Sequence, residues 1–173
     1  MIKIGFFILL SGAAAGNLAA QAPSGDVTKQ GSGHVGLLSY DELEARLTTK
    51  SDTTYVVNFW ATWCGPCLKE LPYFDRLQKK YSSKNVKVLL VSLDFRSQLE
   101  EQVIPYVEEN KLQSEVLVLD EQDQSAVINR VSPEWSGALP ATLVVNAAAG
   151  SRRFYEGAFT YEELEKFYLL TQN

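Results

Sequence analysis

The chain has two cysteines, Cys64 and Cys67, which stand in "NFWATWCGPCLKELPYF", residues 58 to 74, with Gly65 and Pro66 between them. Thiols so spaced have three chemistries open to them: metal ligation, a structural crosslink, or reversible exchange with other disulfides. A tetrahedral structural zinc site takes four ligands, and the only histidine, His34, lies in a separate Gly- and Ser-rich stretch where a solvated ring is expected. No metal and no cofactor is therefore expected. A crosslink closing so small a loop removes little chain entropy, so stabilisation is a weak purpose for it. Exchange fits better. A cysteine at the start of a helix faces unpaired backbone N–H groups and the positive end of the helix dipole, and both favour the thiolate that attacks disulfides. Cys64 would attack, and Cys67, one turn later, would displace the bound thiol and leave the pair oxidised.

Those roles need a strand that delivers the chain to Cys64 and a helix that starts there. "TYVVNFW", short, β-branched and aromatic, has the composition of a buried strand and runs straight into the cysteines. From Cys64 to about Ser82, Leu68, Leu71, Phe74, Leu77 and Tyr81 recur at helical spacing. Pro66 suits the first turn, where its missing N–H would have no partner, whereas Pro72 lies inside the helix and should kink it.

The remaining elements alternate in the same way. Ser39 with Glu42 forms a capping box opening a helix over about 40–50, and Thr160 with Glu163 forms another opening a terminal helix. "VKVLLVSL" and "EVLVLD" read as strands, 97–111 as a helix containing Pro105, and 124–131 as a short helix. "ALPATLVVN" and "RRFYEGAF" flank the turn signal "AAAG" as an antiparallel hairpin. The order predicts an α/β domain with a central mixed β-sheet flanked by helices.

"FWATWCGPC" resembles the active-site signature of the thioredoxin superfamily. Pro72, eight residues after Cys64, matches that family's kinking proline; "LPAT" at 139–142 resembles its cis-proline loop; the hairpin and last helix match the end of its fold. The resemblance spans 37–173 and implies a thioredoxin fold with an inserted helix and strand at 97–120. Thioredoxin proper has a buried aspartate six residues before its first cysteine, where this chain has Asn58. Glu70 instead coincides with the active-site glutamate of the exported TlpA and ResA-like proteins, and the resemblance makes it the proton relay for Cys67. By itself a carboxylate on a helix reads more simply as a surface group. The resemblance also implies that Leu139 offers its backbone to substrate and that Pro140, after a cis peptide bond, packs beside the disulfide. Trp63, Gly65 and Pro66 complete the expected contact surface. Trp60 reads as core, and Trp135, in "SPEWSGA", as a groove wall or a core residue.

With 46% hydrophobic and 21% charged residues in 173, the chain suits one globular domain with a sizeable core. A net charge of −5 without any basic run gives no attraction for nucleic acid or anionic membranes. Residues 1–20, with Lys3, an apolar run from Ile4 to Leu10 and small residues ending at Ala20, have the layout of a cleavable signal peptide; an uncleaved membrane anchor is the alternative. Residues 21–36 read as a flexible leader. The expectation is an exported, periplasmic monomer that reduces disulfides of exported client proteins and is recharged by a membrane thiol carrier. The competing functions are a disulfide oxidase or isomerase, a thiol peroxidase, and a non-catalytic binding module.

Overall fold

The strand that ends at the cysteines, β2 (Thr54–Trp60), is the central strand of the sheet, and six of its seven residues are buried. A computed structural model describes residues 35–171. The segment read as a signal peptide, His34 and nearly all of the stretch read as a leader lie outside the described residues. Within them the order is β1 (Val35–Leu38), α1 (Tyr40–Thr48), β2, α2 (Gly65–Lys80), β3 (Val86–Ser92), α3 (Ile104–Glu109), β4 (Glu115–Leu119), α4 (Gln124–Val131), β5 (Ala141–Asn146), β6 (Ser151–Glu156) and α5 (Tyr161–Leu169).

The strands form one mixed sheet in the order β1-β4-β3-β2-β5-β6. β1, β4, β3 and β2 pair in parallel, and the β5–β6 hairpin joins antiparallel to β2. Parallel strands joined by helices are covered on both faces, which explains the continuous apolar runs of β2 and β3. Successive β2 residues therefore serve opposite layers. Val56 and Trp60 pack with Leu71, Phe74 and Leu77 of α2 and with Leu164 and Tyr168 of α5. Val57 and Phe59 pack with Leu43 and Leu47 of α1 and Val127 and Val131 of α4.

Both capping boxes form as the sequence predicts: Ser39 and Thr160 each exchange hydrogen bonds with the glutamate three residues on. Two elements differ from expectation. The sheet begins at Val35, inside the stretch read as leader, because Val35 and Leu38 bury against β4. The helix expected over 97–111 is composite, with a tight turn at 96–98, a wide π turn at 99–103 and then α3. Pro105 cannot donate a backbone bond and its ring crowds the carbonyl one turn before it, which accounts for the widened turn. Tyr106 of α3 reaches Trp60, with ring centroids 5.5 Å apart, and holds this insertion on the layer that carries α2.

Candidate active site

After Trp60 the chain turns sharply, with the Cys64 N–H donating to the Ala61 carbonyl at 3.0 Å, and α2 begins. Cys64 is the N-cap residue, in extended conformation, and its sulfur accepts the Cys67 N–H at 3.3 Å. The first helical bond runs from the Leu68 N–H to the Cys64 carbonyl. Cys64 thus lies where the unpaired N–H groups of α2 converge, the position that favours a thiolate.

Cys64 and Cys67 are joined as a disulfide, their Cα atoms 5.3 Å apart. Cys64 is 6% exposed and Cys67 fully buried, so only Cys64 offers its sulfur to an incoming group. Gly65 and Pro66 are exposed beside it, and Trp63 is 67% exposed next to the disulfide.

Glu70 lies one turn beyond Cys67 on α2, and is 1% exposed rather than on the surface. One carboxylate oxygen accepts from the Asn58 side-chain amide at 2.8 Å, and the other from the Phe159 N–H at 2.7 Å. Burial pushes its pKa up to about 7, against the opposing pull of the Phe159 and Asn58 hydrogen bonds. A carboxyl poised there can take and return a proton at neutral pH. Asn58 also donates to Thr142 at 3.2 Å, while its own buried amide oxygen has no hydrogen-bond partner among the described residues. If the amide rotates, that oxygen can accept from a protonated Glu70, so Asn58 can serve both charge states. The sequence marks Asn58 only as a missing acid. Its place on the same strand face as Val56 and Trp60, toward α2, is the signal that could have paired it with Glu70.

The Leu139–Pro140 peptide bond is cis, with Pro140 buried and Leu139 half-buried, and the Pro140 carbonyl accepts from Gly157 N–H at 2.9 Å. Trp135 corrects the groove-wall expectation. It is 4% exposed and packs among the α1 and α4 residues, its ring 4.9 Å from Phe59 and 5.9 Å from Phe154, with its indole N–H donating to Ala138. The indole gains a full set of partners there, which the substrate face would not provide. Among the described residues no group of three or more His, Cys, Asp or Glu side chains is arranged to hold a metal ion.

Residues 22–149 match the AhpC/TSA family. The chain is 30% identical over 123 residues to the thiol-disulfide oxidoreductase ResA of Geobacillus kaustophilus, covering 71% of this chain and 66% of that protein. It is 30% identical over 111 residues to the thioredoxin-like protein YneN of Bacillus subtilis, covering 64% and 61%. The matched segment thus spans just under two thirds of these relatives' own length. Among solved structures, a thioredoxin-family thiol:disulfide interchange protein of Chlorobium tepidum superposes with a TM-score of 0.60 at 21% identity, covering 75% of this chain and 85% of that one. A thioredoxin-related protein of Neisseria meningitidis gives 0.61 at 22% identity, covering 73% and 90%. The fold is the thioredoxin fold.

Proposed function

The chain belongs to the AhpC/TSA family, and from its likeness to relatives named thiol-disulfide oxidoreductase and its Cys64–Cys67 disulfide we propose that it is a thiol–disulfide oxidoreductase that reduces disulfides of client proteins through Cys64 and Cys67. The observation that carries this reading is the pairing of a disulfide at the N-terminus of α2 with a buried carboxyl held near neutral pKa one turn further on. A crosslink that only stabilised the fold would have no use for that carboxyl.

In the reduced protein the Cys64 thiolate attacks one sulfur of a client disulfide. The client S–S bond breaks, a Cys64–client disulfide forms, and the first client thiolate departs. Cys67 gives its proton to Glu70 and attacks the Cys64 sulfur. The mixed disulfide breaks, the Cys64–Cys67 bond forms, and the second client thiolate departs. The two client thiolates take up one proton from Glu70 and one from solvent. Two electrons have passed to the client, and two must be returned to the protein from outside. We assign that supply to a membrane thiol carrier, and place the protein, as a monomer, in an exported compartment on the strength of residues 1–20. Trp63, Gly65 and Pro66 form the surface a client meets, and the loop of Leu139 and Pro140 receives its backbone.

Trapping tests the division of labour. Cys67→Ala should accumulate a mixed disulfide between Cys64 and a disulfide-bonded model protein, visible by non-reducing electrophoresis, and Cys64→Ala should form none. Equal trapping by both variants would overturn the assignment of attacker and resolver. Full activity in the double variant would favour a binding module.

A further inference from the structure

Beside the disulfide, the turn from β2 into α2 is tied to the end of β3 by a group the exchange chemistry does not use. β2 and β3 stay paired to their last residues, with the Leu93 N–H donating to the Trp60 carbonyl at 2.8 Å. The next residue, Asp94, is fully buried. One of its carboxylate oxygens accepts the Thr62 N–H at 2.9 Å and the Ser92 hydroxyl at 2.6 Å, and the other accepts the Thr62 hydroxyl at 2.7 Å. A buried carboxylate with donors on both oxygens is a firm attachment, because each bond is charge-assisted; the Thr62 hydroxyl has a second, longer contact at 3.2 Å to the Gln102 side-chain oxygen. Thr62 is two residues before Cys64, inside the turn closed by the Cys64 N–H and the Ala61 carbonyl.

We infer that Asp94 is a positioning residue for the redox pair: through Thr62 it holds the β2–α2 turn so that Cys64 keeps its place at the helix N-terminus when the disulfide opens. The inference rests on the redox role of Cys64 and Cys67. In the oxidised protein the covalent bond itself ties Cys64 to Cys67, so the latch duplicates an existing constraint. In the reduced protein that constraint is gone, and the latch with the local backbone bonds must hold the turn. Asp94 therefore stabilises the reduced form more than the oxidised form. That difference shifts a redox equilibrium, whereas a purely structural role would weaken both forms alike.

The test is the reduction potential of the full chain, by equilibration in glutathione buffers with thiol trapping, for the parent, Asp94→Ala and Asp94→Asn. Asp94→Ala should disfavour the reduced form about tenfold, lowering the potential by about 30 mV for a two-electron couple. Asp94→Asn keeps the shape and can still bond both Thr62 groups, so it should stay within about threefold, or about 15 mV, of the parent. If Asp94→Ala does not fold, Thr62→Val, which removes the hydroxyl's contacts to Asp94 and Gln102 and leaves the N–H bond to Asp94, should move the potential in the same direction by a smaller amount. Melting temperatures lowered equally in both redox forms, with an unchanged potential, would overturn the inference. So would equal shifts for the alanine and asparagine variants, which would assign the effect to charge. A parent chain with no reversible couple would be a different failure, that of the redox reading itself.

Discussion

In the exchange proposed above, the proton that leaves Cys67 before it attacks has a buried carboxyl group one helical turn away, and that placement sets how the protein should respond to pH. Glu70 ionises at about 7 in the folded protein, against an ordinary value of 4.5, chiefly because burial penalises its charge. Between those two values the folded protein holds a proton that the unfolded chain has already released. Stability therefore falls as pH rises from about 4.5 to about 7, by at most about 1.4 kcal/mol per pH unit and about 3 kcal/mol in all, and levels off above. Glu70→Gln should remove that slope in denaturant titrations across this range. Its new amide N–H can be met by the Asn58 oxygen, which in the parent has no partner among the described residues. The same substitution should slow client reduction about 100-fold at neutral pH, since it leaves Cys67 without a base. In the parent, the resolving step should slow as pH drops through about 7, where Glu70 becomes protonated, and the variant should lack that inflection. Stopped-flow decay of the mixed disulfide measures both. The sequence singles out Glu70 only through the resemblance to the TlpA and ResA-like pattern, and its partners are out of reach of that reading. Asn58 is twelve residues away on a strand, Phe159 contributes only a backbone N–H, and the contact depends on how α2 lies across the sheet.

At the scale of elements, local chemistry explains what the sequence discloses. The Ser39–Glu42 and Thr160–Glu163 boxes are written in four residues each, so both helix starts are legible, as are the apolar strands β2, β3 and β4. Strand β1 is not, because four residues after a Gly-rich stretch carry too little pattern, and their pairing with β4 comes from 81 positions further along the chain. The wide turn before α3 is likewise hidden, since Pro105 foretells a disturbance without specifying its form. The caps support the fold without taking part in exchange. Thr160→Ala should cost about 1 kcal/mol of stability, read from denaturant midpoints, and leave the reduction potential of the pair unchanged.

For the molecule as a whole, the sheet separates two apolar layers, and only the one containing α2 and α5 holds the disulfide. Trp135 belongs to the other layer. The sequence leaves Trp135 between core and groove wall, because the direction of the segment between α4 and β5 is set by packing against Phe59 and Phe154 rather than by any local motif, and the structure selects the core. Trp135→Ala should therefore lower stability by about 3–5 kcal/mol while the surviving folded protein keeps the parent's potential and client reduction rate. A selective loss of client binding without that destabilisation would return Trp135 to the substrate face. The layer containing α2 and α5 holds a helix N-terminus and the buried Glu70, with the exposed Trp63 beside the disulfide, and the proposed function requires them to act together as a reversible two-electron site. The most direct measurement is the reduction potential of Cys64–Cys67, by equilibration in defined thiol buffers with trapping of free thiols. The account predicts a reversible couple near the about −270 mV of thioredoxin. A couple at or above about −180 mV would mark an oxidant or isomerase, and a pair that stays oxidised far below −270 mV would be a structural crosslink; either would contradict the reductase proposed here.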